Sequence, residues 1–302
     1  MARRLALTCV IAWLSAVPLG AQDMPAEYAG ILKTLGRQGD YKEAVLKVNI
    51  PRSDLRVVVD GIATPTPFGF GGWIAFTRGD GGYDVMMGDL VLTEDEVNPV
   101  MSAVLENGLD VTALHNHFFF ESPRIFYMHV HGHGNAADIA VKIRPALDRI
   151  GQTPARASGA TAIGGALEGT LDTKRLAKII GHEGEQSGAV YKITVGRSDI
   201  PVKERGAAIN ARMGLNTWAA FYGSDAAAVV AGDIAMLAPE VTPVLKTLRA
   251  NGIDVVAIHH HMTGTDPTVI FLHYWGKGPA QKLASGVKAA IDQTGKGGRT
   301  GH

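Results

Sequence analysis

The stretch LHNHFFFESPRIFYMHVHGHG, residues 114–134, carries the pattern on which both the fold and the candidate site depend. His115 and His117 lie two residues apart in its first half, and His129 and His131 lie two apart in its second half. Side chains two apart on a strand point to the same face of a sheet. We therefore predict two antiparallel strands, residues 109–118 and 124–131, joined by a turn near Ser122 that places His115 opposite His129.

The same stretch occurs a second time in the chain. Residues 258–278 read IHHHMTGTDPTVIFLHYWGKG. The string KVNIPRSDL, from Lys47, also recurs as KITVGRSDI from Lys192, and Trp73 recurs as Trp218. A period this long indicates a duplicated domain and not a solenoid. Three histidines of the second copy, His259, His261 and His273, each follow their counterparts His115, His117 and His129 by 144 residues.

The duplication divides the chain into a first repeat (residues 22–151), a small and polar linker (152–170) and a second repeat (171–302). The later part of each repeat follows the order strand, helix, strand, strand, helix. That order predicts an α+β fold in which an antiparallel or mixed sheet carries helices on one face. We expect the two repeats to be related by a pseudo-twofold axis. The Arg-Ser-Asp strings, at Arg52 and Arg197, predict turns with structural ion pairs.

Local signals locate the elements of the first repeat. Thr93 and Glu96 form a capping box for a helix that runs to about Asn107, and Asn135 caps the last helix. Apolar alternation predicts strands at residues 41–50, 55–59, 73–76 and 83–92, and a helix precedes them at 27–35. Residues 62–72 are rich in glycine and proline and predict a loop.

The N-terminal sequence MARRLALTCVIAWLSAVPLGAQ predicts a secretory signal peptide, residues 1–21. We expect a periplasmic or secreted protein without a membrane span. The only cysteine, Cys9, lies in this segment, so a metal would be held by nitrogen and oxygen ligands. Without Arg3 and Arg4 the chain has 27 basic and 29 acidic residues, and this near-neutral balance argues against nucleic-acid or anionic-membrane partners.

Three imidazoles at paired-strand spacing, present twice, favour metal ligation over a set of half-buried structural histidines. Zinc is the preferred divalent transition metal and copper the alternative, since both accept such ligands. The first repeat is expected to hold the better site, because it also carries His131 and Glu121. Asp89 and Asp233 follow a glycine on apolar strands. Each is expected either to orient a histidine from outside the ligand set or to bond the backbone at a bend. The predicted ligands are His115, His117, His129, His131, His259, His261 and His273.

Three functions remain open from the sequence. The first is an exported metal-binding protein. The second is a zinc-dependent hydrolase of a cell-envelope substrate, with Glu121 as the catalytic base on a metal-bound water. The third is a metal-free ligand-binding or scaffold protein whose histidines line a groove. A small-molecule or cell-envelope ligand is a candidate partner under each of them.

The strings HNH…ESPRIFYMHVHGHG and HHH…DPTVIFLHYWGKG resemble the motif of the LppY/LpqO family of exported bacterial proteins. The resemblance covers nearly the whole mature chain and implies export and a duplicated fold, without an established activity. Mycobacterial-type members are lipoproteins, whereas this chain has no convincing lipobox. In the second copy His260 replaces Asn116. The matching positions are His115, Asn116, His117, Pro123 and His129, with His259, His261, Pro267 and His273.

Overall fold

A computed structural model describes residues 23–152 and 164–295. The predicted signal peptide and most of the predicted linker, residues 153–163, lie outside the described residues. Each repeat forms a six-stranded antiparallel sheet with three helices, which confirms the α+β class and the duplication.

The elements of the two large sheets and their helices occur in the same order in both repeats. Each repeat has two small strands between the second and third strands of its large sheet, and the first repeat has one more between the last two. In the first repeat they are α1 (Ala26–Leu35), β1 (Asp40–Lys42), β2 (Val45–Pro51), β3 (Val57–Val59), β4 (Ile62–Thr64), β5 (Gly71–Arg78), β6 (Asp84–Thr93), α2 (Glu94–Glu106), β7 (Asp110–His115), β8 (Glu121–Ser122), β9 (Ile125–Gly134) and α3 (Ala136–Leu147). In the second they are α4 (Thr173–Ile180), β10 (Gly184–Ser187), β11 (Val190–Gly196), β12 (Lys203–Glu204), β13 (Ala207–Ala208), β14 (Asn216–Gly223), β15 (Ala228–Met236), α5 (Ala238–Ala250), β16 (Asp254–His259), β17 (Ile270–Gly278) and α6 (Ala280–Ile291).

The strand order is β1-β2-β5-β6-β9-β7 in the first large sheet and β10-β11-β14-β15-β17-β16 in the second. One face of each sheet packs on its own helices and forms a separate apolar core. The opposite faces pack on each other, and two further cores contain residues of both repeats, such as Tyr127 with Trp275 and Met87 with Phe271. The molecule is therefore a four-layer arrangement with the helices outside and the two sheets inside.

The structure confirms that both helices start where the sequence predicted. The Thr93 backbone N–H donates to Glu96 Oε2 at 2.8 Å, which is one of the two hydrogen bonds of a capping box, and Asn135 Oδ1 accepts from the Ala137 N–H at 2.9 Å. These caps start the two helices immediately after the strands β6 and β9, so the helices fold back onto one face of the sheet.

The Arg-Ser-Asp strings form buried ion-pair networks that join each sheet to its helices. Arg52 donates to Glu96 Oε2 at 2.6 Å, to Asp54 Oδ1 at 2.9 Å and to the Val91 carbonyl at 2.8 Å. The Gly151 N–H donates to the other oxygen of Glu96 at 2.6 Å. The second repeat has the same network, built from Arg197, Asp199, Ala235, Glu240 and Gly295. The predicted structural role of these strings is confirmed.

Three predictions of local structure were wrong. Residues 41–50 form a hairpin, β1 and β2, because Glu43 and Ala44 adopt positive φ angles of 52° and 59°. The predicted loop at 62–72 contains a strand, β4. The first histidine strand ends at His115, and His117 lies in the following bend.

The register of the histidine strands also differs from the prediction. His115 lies opposite Tyr127, and Ala113 lies opposite His129. The reason is that no tight turn joins β7 to β9: Glu121 and Ser122 form a separate strand, β8, that pairs with β3. Both Ser122-Pro123 and Asp266-Pro267 are cis peptide bonds, at equivalent positions of the two loops.

Among the described residues, no helix has both the length and the apolar character needed to cross a membrane.

We expect the substitution Glu96→Gln to lower the free energy of unfolding by about 3 kcal/mol, because it leaves the buried Arg52 guanidinium without its closest counter-charge. Urea unfolding of the purified protein measures this change. The matched control is Asp148→Asn, which breaks an exposed pair with Arg144 and should cost less than about 1 kcal/mol. Equal effects of the two substitutions would contradict the assigned role of the buried network.

Candidate metal centre

Six histidines meet in one buried cluster between the two sheets. They come from the ends of β7 and β16, the bends that follow, and the middle of β9 and β17. Each is between 2% and 9% exposed. By ring-centroid distance, the closest pairs across the repeats are His115–His259 at 3.7 Å, His117–His273 at 3.6 Å and His129–His261 at 4.1 Å.

The cluster has the symmetry of the duplicated chain. His115 and His259 occupy equivalent positions and stack on each other, so the pseudo-twofold axis passes between their rings. The other two close pairs exchange with each other under the same operation. The sequence predicted one ligand set in each repeat, whereas the structure brings both sets together at the interface.

Two of the six histidines, His117 and His261, each stack on an aromatic ring of their own repeat. The His117 ring lies flat on Tyr127, with 3.2 Å between centroids and 4° between planes. The equivalent His261 ring lies on Phe271 at 3.4 Å and 9°. Sequence reasoning missed both aromatic residues, although their 144-residue separation matches that of the histidines.

Burial keeps the six imidazoles neutral near pH 7. The pKa of His115 is lowered to about 3, mainly because burial removes solvent and to a smaller extent because of the charge of His261. Burial likewise lowers the pKa of His261 to about 3. The pKa values of the remaining four histidines are also lowered, with burial as the largest cause and neighbouring histidines as the next. A neutral imidazole keeps a lone pair available for a metal ion.

Most of the buried ring nitrogens have no hydrogen-bond partner among residues 23–152 and 164–295. One tautomer is fixed: His273 Nδ1 lies 3.1 Å from the Gly232 carbonyl and donates to it, which leaves the Nε2 lone pair free. Buried polar atoms are nearly always paired, and an unpaired one costs about 1–3 kcal/mol. The unpartnered nitrogens are His115 Nε2, both nitrogens of His117, His129 Nε2, both of His259, His261 Nδ1 and His273 Nε2.

Three groups of side chains within the described residues have ligand atoms that all lie within 4.8 Å of one another. Two of the groups take histidines from both repeats, and the third combines two histidines with a carboxylate. The groups are His115–His129–His259, His115–His117–His273 and Asp233–His259–His261.

Asp233 and Asp89 have different surroundings. Asp233 Oδ2 lies 3.5 Å from His261 Nε2, and Asp233 Oδ1 accepts from the Leu272 N–H at 3.1 Å. Asp233 therefore lies among the candidate ligands themselves. Asp89 lies opposite His129 on the neighbouring strand, and its Oδ1 has no partner among the described residues. Burial, followed by the charge of Asp233, raises the pKa of Asp89 to about 7.

The two extra residues of the first repeat lie outside these groups. His131 Nδ1 is 2.9 Å from Glu204 Oε1, and His131 Nε2 is 2.9 Å from the His261 carbonyl, so both ring nitrogens have partners. Glu121 Oε1 accepts from the Ile125 N–H at 3.0 Å, and burial raises the pKa of this carboxyl to about 8. Glu121 and His115 line a separate cavity of about 670 Å³.

A larger cavity, of about 740 Å³, leads from the surface to the cluster and ends at His117, His261 and His273. Its walls are two equivalent rows of side chains that run across the sheets. Cross-strand pairing puts Asn49, Trp73 and Asp89 side by side in the first row. The second row consists of Thr194, Trp218 and Asp233. We call this cavity the interface cleft.

Comparison with known proteins gives little functional information. No curated protein matches the chain. EtuB from Clostridium kluyveri is 10% identical over 85% of this chain and 90% of its own, with a TM-score of 0.20. A trimeric bacterial microcompartment shell protein, PduB, is 13% identical over 83% of this chain and 88% of its own, with a TM-score of 0.19. TM-scores this low support no inference about fold or function.

A family profile described as Domain of Unknown Function (DUF1259) matches residues 29–149 and again residues 174–293. The two segments correspond to the two sheets with their helices. The resemblance to the LppY/LpqO family by name remains a prediction. The chain belongs to the family described as Domain of Unknown Function (DUF1259), and it carries two copies of that family's domain.

Proposed function

We propose that this protein is an exported metal-binding protein that holds a divalent transition metal in the histidine cluster between its two repeats. The observation that carries the proposal is the convergence of buried, neutral imidazole nitrogens without partners among the described residues, within 4.8 Å of one another. A metal ion would satisfy these nitrogens and offset the cost of burying them.

The donor set fits zinc best, with copper as the alternative. Neutral imidazoles with one carboxylate are ligands of zinc, copper and nickel. The group His115–His117–His273 supplies three nitrogens, and a fourth position would remain for water or a small ligand. In this arrangement a His-x-His pair of one repeat is completed by a histidine of the other repeat, so neither repeat would hold the metal alone.

Export is part of the proposal and is supported by the N-terminal sequence alone. In an oxidising compartment a site built from histidine and carboxylate is not at risk of thiol oxidation. The hydrolase reading is less well supported, since Glu121 belongs to none of the three groups and its raised pKa disfavours the carboxylate that a general base needs.

We expect the tagless mature protein, dialysed after exposure to zinc, to retain about one or two metal ions per chain by elemental analysis. The double variant His115→Ala/His259→Ala should retain none, because each of the three candidate groups contains at least one of these two rings. His182→Ala, an exposed histidine outside the cluster, is the control and should bind as the unmodified protein does. Full metal retention by the double variant would contradict the proposal.

A shared centre and two separate half-sites give different results for the single variant His273→Ala. Because His273 of the second repeat completes the group with His115 and His117 of the first, we expect zinc affinity to fall by at least about a hundredfold. Competition with a chromophoric zinc chelator measures this affinity. An undiminished site of half the original stoichiometry would instead indicate independent sites, one in each repeat.

The metal-free protein should lose stability in acid. The folded histidines have pKa values below 6.5, so under that pH the unfolded chain binds more protons than the folded one. The contribution of the histidines to stability is therefore complete above pH 6.5 and falls with decreasing pH, by up to about 1.4 kcal/mol per pH unit for each such group.

Urea unfolding with a chelator present, at several values of pH from neutral to acid, measures this loss. The variant His115→Gln/His259→Gln should show a shallower dependence on pH. A stability that does not change between pH 6.5 and pH 4 would show that the buried rings do not resist protonation.

A further inference from the structure

The interface cleft contains a second set of paired residues that metal binding does not use. Lys47 and Lys192, at equivalent positions of β2 and β11, both line the cleft. The Lys47 ammonium lies 4.5 Å from the ring centroid of Trp73, and the Lys192 ammonium lies 4.1 Å from that of Trp218. Each indole thus holds an ammonium group over its face.

Neither ammonium group donates a hydrogen bond to, or forms an ion pair with, any residue in the described part of the chain. Both are partly buried. Burial, and next the positive charges of Lys192 and Arg212, lower the pKa of Lys47 to about 8. Burial also lowers the pKa of Lys192 to about 8. Both lysines therefore remain largely protonated at neutral pH, and an anion near them would relieve their desolvation and mutual repulsion.

Five carboxyl groups also line the cleft. Glu43, Glu183 and Glu185 are exposed, so water and salt screen their charge. Asp89 and Asp233 are buried beside the histidines and interact with Lys192, but burial raises the pKa of both carboxyls, which reduces their negative charge near neutral pH. The lysines share the cleft with a third cationic side chain, Arg212, with the neutral side chains of Asn49 and Thr194, and with the two indoles.

We propose that the interface cleft binds a small organic or inorganic oxyanion, a carboxylate or a phosphate, through Lys47 and Lys192. The indoles of Trp73 and Trp218 provide apolar surface for the remainder of the ligand. The volume of about 740 Å³ is within the range of small-molecule sites. This inference concerns other residues than the proposed metal centre and does not require a bound metal.

Isothermal titration of the metal-free mature protein tests the proposal with three probes: succinate, inorganic phosphate and, as a neutral ligand, sucrose. Saturable binding of succinate or phosphate at concentrations up to about 10 mM is expected, and the preferred probe identifies the oxyanion. Lys47→Gln and Lys192→Gln should each weaken binding at least about tenfold, because each removes a charge-assisted contact.

Two variants separate loss of charge from loss of structure. Lys47→Arg/Lys192→Arg keeps both charges and should retain binding, and Lys142→Gln, on an exposed part of α3, should leave it unchanged. Three results would overturn the proposal: binding of sucrose alone, absence of saturable binding for both anions, or anion binding by both lysine-to-glutamine variants that is as tight as that of the unmodified protein. Since the titration is done without metal, none of these results bears on the histidine cluster.

Discussion

The structure around the cluster must bury six imidazole rings, stacked between two sheets, without the water that their nitrogens would otherwise bond. Each ring carries two nitrogens, and burial removes the water that would otherwise bond to them. Backbone carbonyls satisfy some, such as Nδ1 of His273, but most have no partner within the described residues. Two opposed sheets, each fixed to its helices by a buried Arg–Glu pair, hold the rings in this position despite that cost.

Duplication within one chain lets a twofold centre have unequal surroundings. The cluster itself is nearly symmetric, yet the residues beside it are not. His131 is replaced by Trp275, and Glu121 by Thr265. A homodimer of one repeat could not make these differences, whereas a fused pair can vary the approach to the centre on one side alone. Phe119 and Phe120 are exposed in the loop of the first repeat, where the loop of the second repeat has Thr263 and Gly264.

The sequence predicted the class of fold and the histidines of the candidate site, but it did not predict how the strands that carry those histidines pair. The exact 144-residue spacing identified the six histidines, and the capping signals at Thr93 and Asn135 located helices that the structure confirms. Strand register was wrong, because His115 and His129 were assumed to pair through a tight turn. The Glu43-Ala44 turn was missed, since neither residue is typical of positive φ, although Gly188 stands at the equivalent turn of the second repeat.

What the sequence could not predict is which faces of the two sheets meet. Periodicity assigns residues to a face, but both faces of these sheets are apolar enough to be buried. The joint centre depends on that choice, and so does the interface cleft. The recurrence of Lys47 and Trp73 as Lys192 and Trp218 is visible in the sequence. Only the structure shows that the two copies line the same cleft.

The most direct test of a shared metal centre is an anomalous-scattering map from a zinc-grown crystal of the mature protein, with data collected on both sides of the zinc absorption edge. The account predicts a zinc peak between the two sheets, bound by histidines of both repeats, with His273 next to His115 and His117. A peak bound by histidines of one repeat only, or no peak within the cluster, would contradict it.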